Sequence, residues 1–359
     1  MYCFNYLEYL FLLENEGVEV MFEIESSPNC RELVTTTNNQ QPLLPNLQRL
    51  YLRYLKSMSH VWKCNNWNKF LSLEKQSSFQ NLTTIQIWDC NRIRYLFSPL
   101  MVKLLSDLKT ISIFGCYSME EVVSNRDDKH EEMTTSITHT TTTFFPHLQS
   151  LEFGGLKNLK LIGGGVHDEF KSSQAGVPSW SLCQYTRKID IGGCDALSRL
   201  IPCYAVGQMQ NLQVLKVTYC ESLMEIVLIM SCNLLKHVFP FSSLESLTQL
   251  EELIIRECKV IVKKENGEQK DVVVFPRVKC IELSDLPNID GFFLGMNEFQ
   301  WPLLEKVMLN KCPRMMVFTS GQSTIPKLKY IHTRLGKHSL ECTLTWLQTS
   351  MRTPYHERL

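Results

Sequence analysis

The stretch FQNLTTIQIWDCNRIRYLF, Phe79–Phe97, decides how this chain folds. Its apolar residues fall at Phe79, Leu82, Ile85, Ile87, Cys90, Ile93 and Leu96. Ile85 and Ile87 alternate with period two, which makes a short strand with its aliphatic side chains on one face. After that pair the chain turns, and Cys90 points back inward. The template recurs at Leu108, Ile111, Ile113, Cys116, Met119 and Val122, and at Leu212, Leu215, Val217, Cys220, Leu223 and Ile226. Further copies pass through Ile189, Ile191 and Cys194, through Leu253, Ile255 and Cys258, and through Val307, Leu309 and Cys312. A variant sets Leu in the Cys slot: Leu50, Leu52 and Leu55, then Leu151, Phe153 and Leu156, then Ile281, Leu283 and Leu286. Ragged copies open the series at Leu7, Leu10, Leu12 and Asn15 and close it at Leu328 and Ile331.

The first residues of the paired positions are 10, 50, 85, 111, 151, 189, 215, 253, 281, 307 and 331, so the intervals are 40, 35, 26, 40, 38, 26, 38, 28, 26 and 24. The short intervals match the 20–29-residue leucine-rich repeat, and the long ones carry inserted loops. One unit cannot bury its strand face alone, so neighbours stack. The expected architecture is an α/β leucine-rich-repeat solenoid, a curved horseshoe with a parallel β-sheet on the concave face. Its convex side should hold irregular chain, 3₁₀ turns and short helices, one of them near Pro99–Asp107. About eleven repeats should fill residues 1–338, with loops near 124–143, 163–179 and 263–271 and an irregular tail over 339–359. An Asn in the Cys slot would bond the backbone of adjacent turns, and a Cys fits there as a small hydrophobe with a weak donor. Proline enters several repeats, at Leu44-Pro45, Phe145-Pro146, Phe275-Pro276, Trp301-Pro302 and Ile325-Pro326. It should bias the preceding residue towards extended geometry.

Composition narrows the function. Among 359 residues, 37 basic and 37 acidic side chains cancel. That balance offers no electrostatic reason to expect nucleic acid or an anionic membrane surface. The apolar patches of Met1–Leu13 lack a basic leader, Glu8 interrupts them, and Glu14, Glu16 and Glu19 follow where a cleavage site would sit. The longest near-apolar stretch, Ile226–Leu235, falls well short of the about 20 residues a bilayer needs. The expected location is cytoplasmic, and the 14 cysteines are expected as free thiols.

The chain resembles the leucine-rich-repeat region of plant nucleotide-binding leucine-rich-repeat resistance proteins of the coiled-coil class, nearest the lettuce resistance-gene-candidate group. The stretches that carry the resemblance include MSHVWKCNNWNKF (58–70), YLFSPLMVKLLSDLK (95–109), EEVVSNRDDK (120–129), SWSLCQY (179–185), IPCYAVGQMQNLQVL (201–215), FFLGMNEF (292–299), CPRMMVF (312–318) and LKYIHTRLGKH (328–338). The resemblance covers nearly everything from Tyr2 to about His338. The resemblance implies a protein-binding sensor in plant defence. Its implied partners are a pathogen effector or a guarded host protein, and the nucleotide-binding domain that such a region holds off.

That domain is marked by GxxxxGK[ST], which does not occur here: Gly336-Lys337 is followed by His338, and Gly163–Gly165 lacks the Lys and hydroxyl of a phosphate loop. No cofactor is expected, and no GxSxG, HExxH or Cys–His signature supports catalysis. His167, Asp168 and Glu169 read as a surface loop, because adjacent residues rarely converge on one metal ion. The repeat at 227–239 lacks its head, and Leu340–Leu359 carries no recognisable capping repeat. A truncated, non-functional resistance-gene product and a stand-alone substrate receptor of a ubiquitin ligase are the alternatives.

Binding is expected from outward positions beside the strands, where packing does not dictate the residue. These are Arg49, Tyr51, Arg53, Gln86, Trp88, Ser112 and Phe114, then Lys188, Asp190, Lys216, Tyr219, Glu252, Arg256, Glu282, Lys306 and Asn310. Tyr, Trp and Arg are the types enriched in interface hot spots. Reversing charge at Arg53 or Arg256 is therefore expected to spare thermal unfolding, while Leu151→Asp should lower stability by several kcal/mol.

Overall fold

The computed structural model describes residues 6–24, 42–72, 78–98, 100–124, 145–160, 162, 185–202, 209–223, 225–228, 247–258, 272–289, 291–293, 298–315, 317–319, 323–333 and 336–339. Three expected loops (apart from Ser124), Pro99, residues 229–239, the His167–Glu169 run, Gly163–Gly165 and the tail beyond Ser339 lie outside the described residues. The chain forms two compact units, Met1–Leu182 and Cys183–Leu359.

In each unit a parallel sheet is assembled from one five-residue strand per repeat. The first unit stacks β1 (Tyr9–Leu13), β2 (Arg49–Arg53), β3 (Thr84–Trp88), β4 (Thr110–Phe114) and β5 (Ser150–Gly154). The second stacks β6 (Lys188–Gly192), β7 (Val214–Thr218), β8 (Glu252–Arg256), β9 (Cys280–Ser284), β10 (Lys306–Asn310) and the shorter β11 (Tyr330–Thr333). Each begins one residue before its aliphatic pair. Pairing is in register, so Leu50, Ile85, Ile111 and Leu151 form one inward row and Leu52, Ile87, Ile113 and Phe153 the next. These side chains are at most 1% exposed. Burial of an aliphatic side chain contributes about 1.5–3 kcal/mol. Leu10 and Leu12 on the edge strand β1 are only half-buried.

Four-residue turns precede and follow most of these strands. Before a strand, an amide bonds three residues back, as Leu47 N–H does to the Leu44 carbonyl at 3.2 Å and Leu148 N–H to that of Phe145 at 3.0 Å. After it, Met119 N–H bonds the Cys116 carbonyl at 3.1 Å. Proline occupies the second position of the leading turn, which its fixed φ suits. The residue ahead of it does not always take the expected extended form. Leu44 and Phe145 have φ of 44° and 50°, as does Phe79 at 57° in a turn without proline. Phe79 and Phe145 are buried, and the position of their rings in the core outweighs the local preference.

The residue directly after each strand from β1 to β10 is left-handed: Glu14, Tyr54, Asp89, Gly115, Gly155, Gly193, Tyr219, Glu257, Asp285 and Lys311, with φ between 47° and 66°. This twist aims the amide at the last carbonyl of the next strand. Asp89 N–H reaches Phe114 at 2.9 Å, and Glu257 N–H reaches Ser284 at 2.9 Å. The next residue then turns inward. The thiols of Cys90, Cys116, Cys194, Cys220, Cys258 and Cys312 are buried, each bonded to the carbonyl two residues earlier at 3.1–3.7 Å. Asn15 departs from its expected role. It is exposed, and its Oδ1 accepts from its own turn, Gly17 N at 2.9 Å and Val18 N at 3.0 Å. Asn81 does the inter-turn work instead, donating to the Pro45 carbonyl at 2.7 Å.

The far side of the repeats is more strand-like than expected. Val20–Ile24 pairs with His60–Cys64, Tyr95–Phe97 with Glu121–Val123, Arg199–Pro202 with Glu225–Leu228, and Gly291–Phe293 with Val317–Thr319, all in parallel. The offsets equal those of the front repeats; Tyr95 meets Glu121 and Ile85 meets Ile111, both 26 residues on. Each back segment follows its front strand at the same distance in neighbouring repeats, whatever the repeat length, so equivalent back segments come into register as well. Helix is minor among the described residues: one α-helix, Trp67–Ser72, and a 3₁₀ turn at Met101–Leu104, within the stretch where a short helix is expected. Inside, Trp62 stacks on Phe22 and Phe97, and Trp301 lies flat on Phe275 at 4.2 Å with Phe299 and Phe318 beside it. Each unit thus has its own aromatic spine. A final strand, β12 (Gly336–Ser339), folds back antiparallel on β11.

Candidate functional site

The front sheet of each unit presents three rows of outward side chains, from the first, third and fifth residues of its strands. In the first unit they read Tyr9, Arg49, Thr84, Thr110, Ser150; Phe11, Tyr51, Gln86, Ser112, Glu152; and Leu13, Arg53, Trp88, Phe114, Gly154. The last row is a continuous stack. The Arg53 guanidinium sits 4.8 Å from the centre of the Tyr54 ring and 5.5 Å from that of Trp88. Trp88 stacks on Phe114 at 4.6 Å with an interplanar angle of 30°. Phe114 lies over Gly154, where an added Cβ would meet the ring at 2.5 Å. In the first row Arg49 lies 5.4 Å over Tyr9, and in the second Phe11 meets Tyr51 edge-on at 6.2 Å.

This part of the surface is apolar and exposed. Phe11 is 60% exposed, Trp88 36%, and Tyr9, Leu13 and Tyr54 belong to the same patch. Cation–π contacts are worth about 0.5–1 kcal/mol each at exposed sites. They hold the Arg53 side chain, whose Nη2 also donates to the Tyr54 hydroxyl at 3.2 Å.

In the second unit, charge replaces aromatic area. Lys216 Nζ lies 3.1 Å and Lys188 Nζ 3.9 Å from Asp190 Oδ2. Arg256 meets Glu282 twice, Nε to Oε1 at 2.6 Å and Nη2 to Oε2 at 2.7 Å, and the second contact has the alignment of a hydrogen bond. The Glu282 carboxylate beside it holds the Arg256 guanidinium above its usual range. Glu282 is only 7% exposed and also accepts from Ser284 Oγ at 3.4 Å. These basic groups are largely committed to neighbours in their own sheet.

The expected residues therefore separate. Arg49, Tyr51, Arg53, Gln86, Trp88 and Phe114 share the front face of the first unit. Lys188, Asp190, Lys216, Glu252, Arg256, Lys306 and Asn310 share that of the second. Ser112 and Glu282 are outward by register yet buried beneath longer neighbours. Tyr219 lies off the pleated rows, in the left-handed turn after β7, and is 55% exposed. Alternation alone would have added Tyr9, Phe11 and Leu13. Tyr54 was harder to find, because the turn conformation that swings it outward is marked in sequence only by Gly115, Gly155 and Gly193 at the same repeat phase. Among the described residues no group of three or more His, Cys, Asp or Glu could hold a metal ion.

Stacked strand–turn units with in-register aliphatic rows define a leucine-rich-repeat protein, and such domains generally act by binding other proteins. The chain belongs to the RPS2-like leucine-rich-repeat family of plant disease resistance proteins, whose profile matches residues 1–113 and again 65–221. A disease resistance protein of Arabidopsis thaliana is 21% identical over 338 residues, covering 84% of this chain and 36% of that protein. The chain thus spans about a third of the length of that relative. Among solved structures, a leucine-rich repeat protein from Bacteroides eggerthii is 11% identical with a TM-score of 0.29, covering 81% of this chain and 52% of that one. The plant peptide hormone receptor RGFR1 in complex with RGF2 is 13% identical with a TM-score of 0.15, covering 78% and 64%.

Proposed function

We propose that this chain is a protein-binding sensor region of a plant disease resistance protein, working in the cytoplasm by recognition rather than catalysis. In this reading a pathogen effector, or a host protein altered by one, competes with the nucleotide-binding domain of a resistance protein for the outward faces of the repeats within 1–338. Releasing such a switch requires a partner that binds its two states with different affinity. The observation that carries the reading is the exposed arginine–aromatic face of β1–β4. It sits on repeats matching the disease-resistance profile and offers the residue types that dominate binding energy.

The test is co-expression with the nucleotide-binding domain of a full-length relative, followed by co-purification. Wild-type chain should retain the domain, and Trp88→Ala with Arg53→Ala should release it while the chain still unfolds cooperatively, with a loss of about 1–2 kcal/mol from the exposed stack. Retention unaffected by changes across both front faces would reject the reading.

A further inference from the structure

The first unit's front rows carry two guanidiniums and, among the described residues, a single carboxylate. That carboxylate, Glu152, is on β5 and accepts from Ser112 Oγ at 3.4 Å and Ser150 Oγ at 3.2 Å. Arg49 touches the Tyr9 ring, and Arg53 touches Tyr54 and Trp88; neither forms an ion pair with a described acidic residue. The contrast lies in the second unit, where Lys188, Lys216 and Arg256 each have a carboxylate in a neighbouring or shared strand. Three front cations of the second unit are thus neutralised within the sheet, while neither guanidinium of the first is. The aromatic neighbours of Arg49 and Arg53 hold them mainly through ring faces, and only Arg53 Nη2 donates to one of them, the Tyr54 hydroxyl, so each guanidinium keeps donors for carboxylate recognition.

The spacing adds a second constraint. Arg49 and Arg53 are the first and fifth residues of β2, so they stand about 13 Å apart on one face of the strand. Tyr51 lies midway on that face and makes an edge contact with Phe11. An extended peptide running along β2 repeats this period, with carboxylates at its first and fifth residues and an apolar side chain at the third. Residues four apart on a helix stand only about 6 Å apart, too close to reach both arginines.

We propose that the front face of β1–β3 binds an extended acidic peptide segment of a protein partner, two carboxylates four positions apart clamping Arg49 and Arg53 and an apolar side chain between them packing on Tyr51. This rests on the reading of the chain as a protein-binding sensor and names the chemistry of what it binds.

The experiment uses the full chain and a synthetic peptide with Glu at its first and fifth positions, Leu at its third and Ser elsewhere, titrated by calorimetry at low ionic strength. Two controls keep its composition class: one replaces both Glu by Gln, and one moves the two Glu next to each other. The expected result is binding of the first peptide alone, weakened about tenfold in Arg49→Gln/Arg53→Gln, the size expected for two exposed ion pairs, and unchanged in Lys306→Gln on the second unit. Arg49→Lys/Arg53→Lys should fall between, because it keeps the charge and loses the planar fork. Absence of binding, equal binding of the Gln peptide, or equal binding of the adjacent-Glu peptide overturns the proposal. If any of these occurs while Trp88→Ala still releases the nucleotide-binding domain, only the acidic-peptide assignment fails. If the domain is also retained by every front-face variant, the sensor reading fails with it. A cooperative unfolding transition retained in the arginine variants shows that lost binding is not lost folding.

Discussion

Cys312 shows how a repeat uses a thiol. Its Sγ lies 3.4 Å from the Asn310 carbonyl and 3.6 Å from the Leu283 carbonyl of the neighbouring repeat, so one small side chain ties two turns. Burial pushes its thiol up to about 11. The Cys116 thiol is raised by hydrogen bonding to Cys90 and by burial, and that of Cys258 by Cys220 and by burial. A thiol that ionises near 9 when unfolded and near 11 when folded leaves stability untouched below pH 9 and lowers it as pH rises from 9 to 11. Urea unfolding should therefore show an alkaline loss of about 2 kcal/mol from Cys312 alone, and Cys312→Val should flatten that part of the profile. The same slope in the variant would refute the assignment. At this scale the structure also changes one expectation. Arg256→Glu sets a second acid against nearly buried Glu282 and should cost about 1 kcal/mol after allowance for the exposure of the arginine, instead of sparing stability. An unfolding midpoint left unchanged by Arg256→Glu would contradict the pairing. The aliphatic pair and the Cys slot were visible in the sequence because their spacing repeats. The pairing of Arg256 with Glu282 was not, because it joins residues 26 apart whose proximity depends on strand register.

At the scale of the element, the turn after each strand controls whether the ladder continues. Ten consecutive turns adopt a left-handed residue, and seven of these residues are not glycine. The conformation costs a side-chain-bearing residue about 1–2 kcal/mol, which is repaid by an amide aimed at the neighbouring strand. Gly115 has the added constraint that a Cβ would run into the Asp89 carboxylate. Gly115→Ala should lower stability by about 1–2 kcal/mol, and Glu257→Gly, in an exposed turn of the same kind, should raise it by about 0.5–1 kcal/mol. Opposite signs in a denaturant titration would show that φ is not what limits these turns. Strand positions were legible from period two. The back strands were not, since three- to five-residue segments of Val, Phe and Trp carry too little pattern to separate strand from irregular chain. They form because each follows its front strand at the same distance, so stacking the front strands sets equivalent back segments side by side.

For the whole molecule, stability should divide by unit. The first is centred on Trp62 with Phe22, Phe79 and Phe97, and the second on Trp301 with Phe275, Phe292, Phe299 and Phe318. Stacked repeats transmit stability mainly to their neighbours. Phe299→Ala removes a fully buried ring and should cost about 3–5 kcal/mol. In chains keeping one tryptophan each, it should lower the denaturation midpoint reported by Trp301 more than that reported by Trp62. Equal shifts would mean that the two units unfold as one. Period and phase alone determined the front strands, the inward rows and the placing of Arg49, Tyr51, Arg53 and Trp88 on an outward face, because side-chain direction in a strand follows directly from residue parity. Only the tertiary structure decided which of those outward residues are committed and which are open. Neutralisation depends on which side chains the neighbouring repeat brings within reach, directly opposite as Asp190 is to Lys216 or one pleat away as Glu282 is to Arg256. There Arg53 meets aromatic rings and Arg256 meets a carboxylate, a difference set by residues distant in sequence.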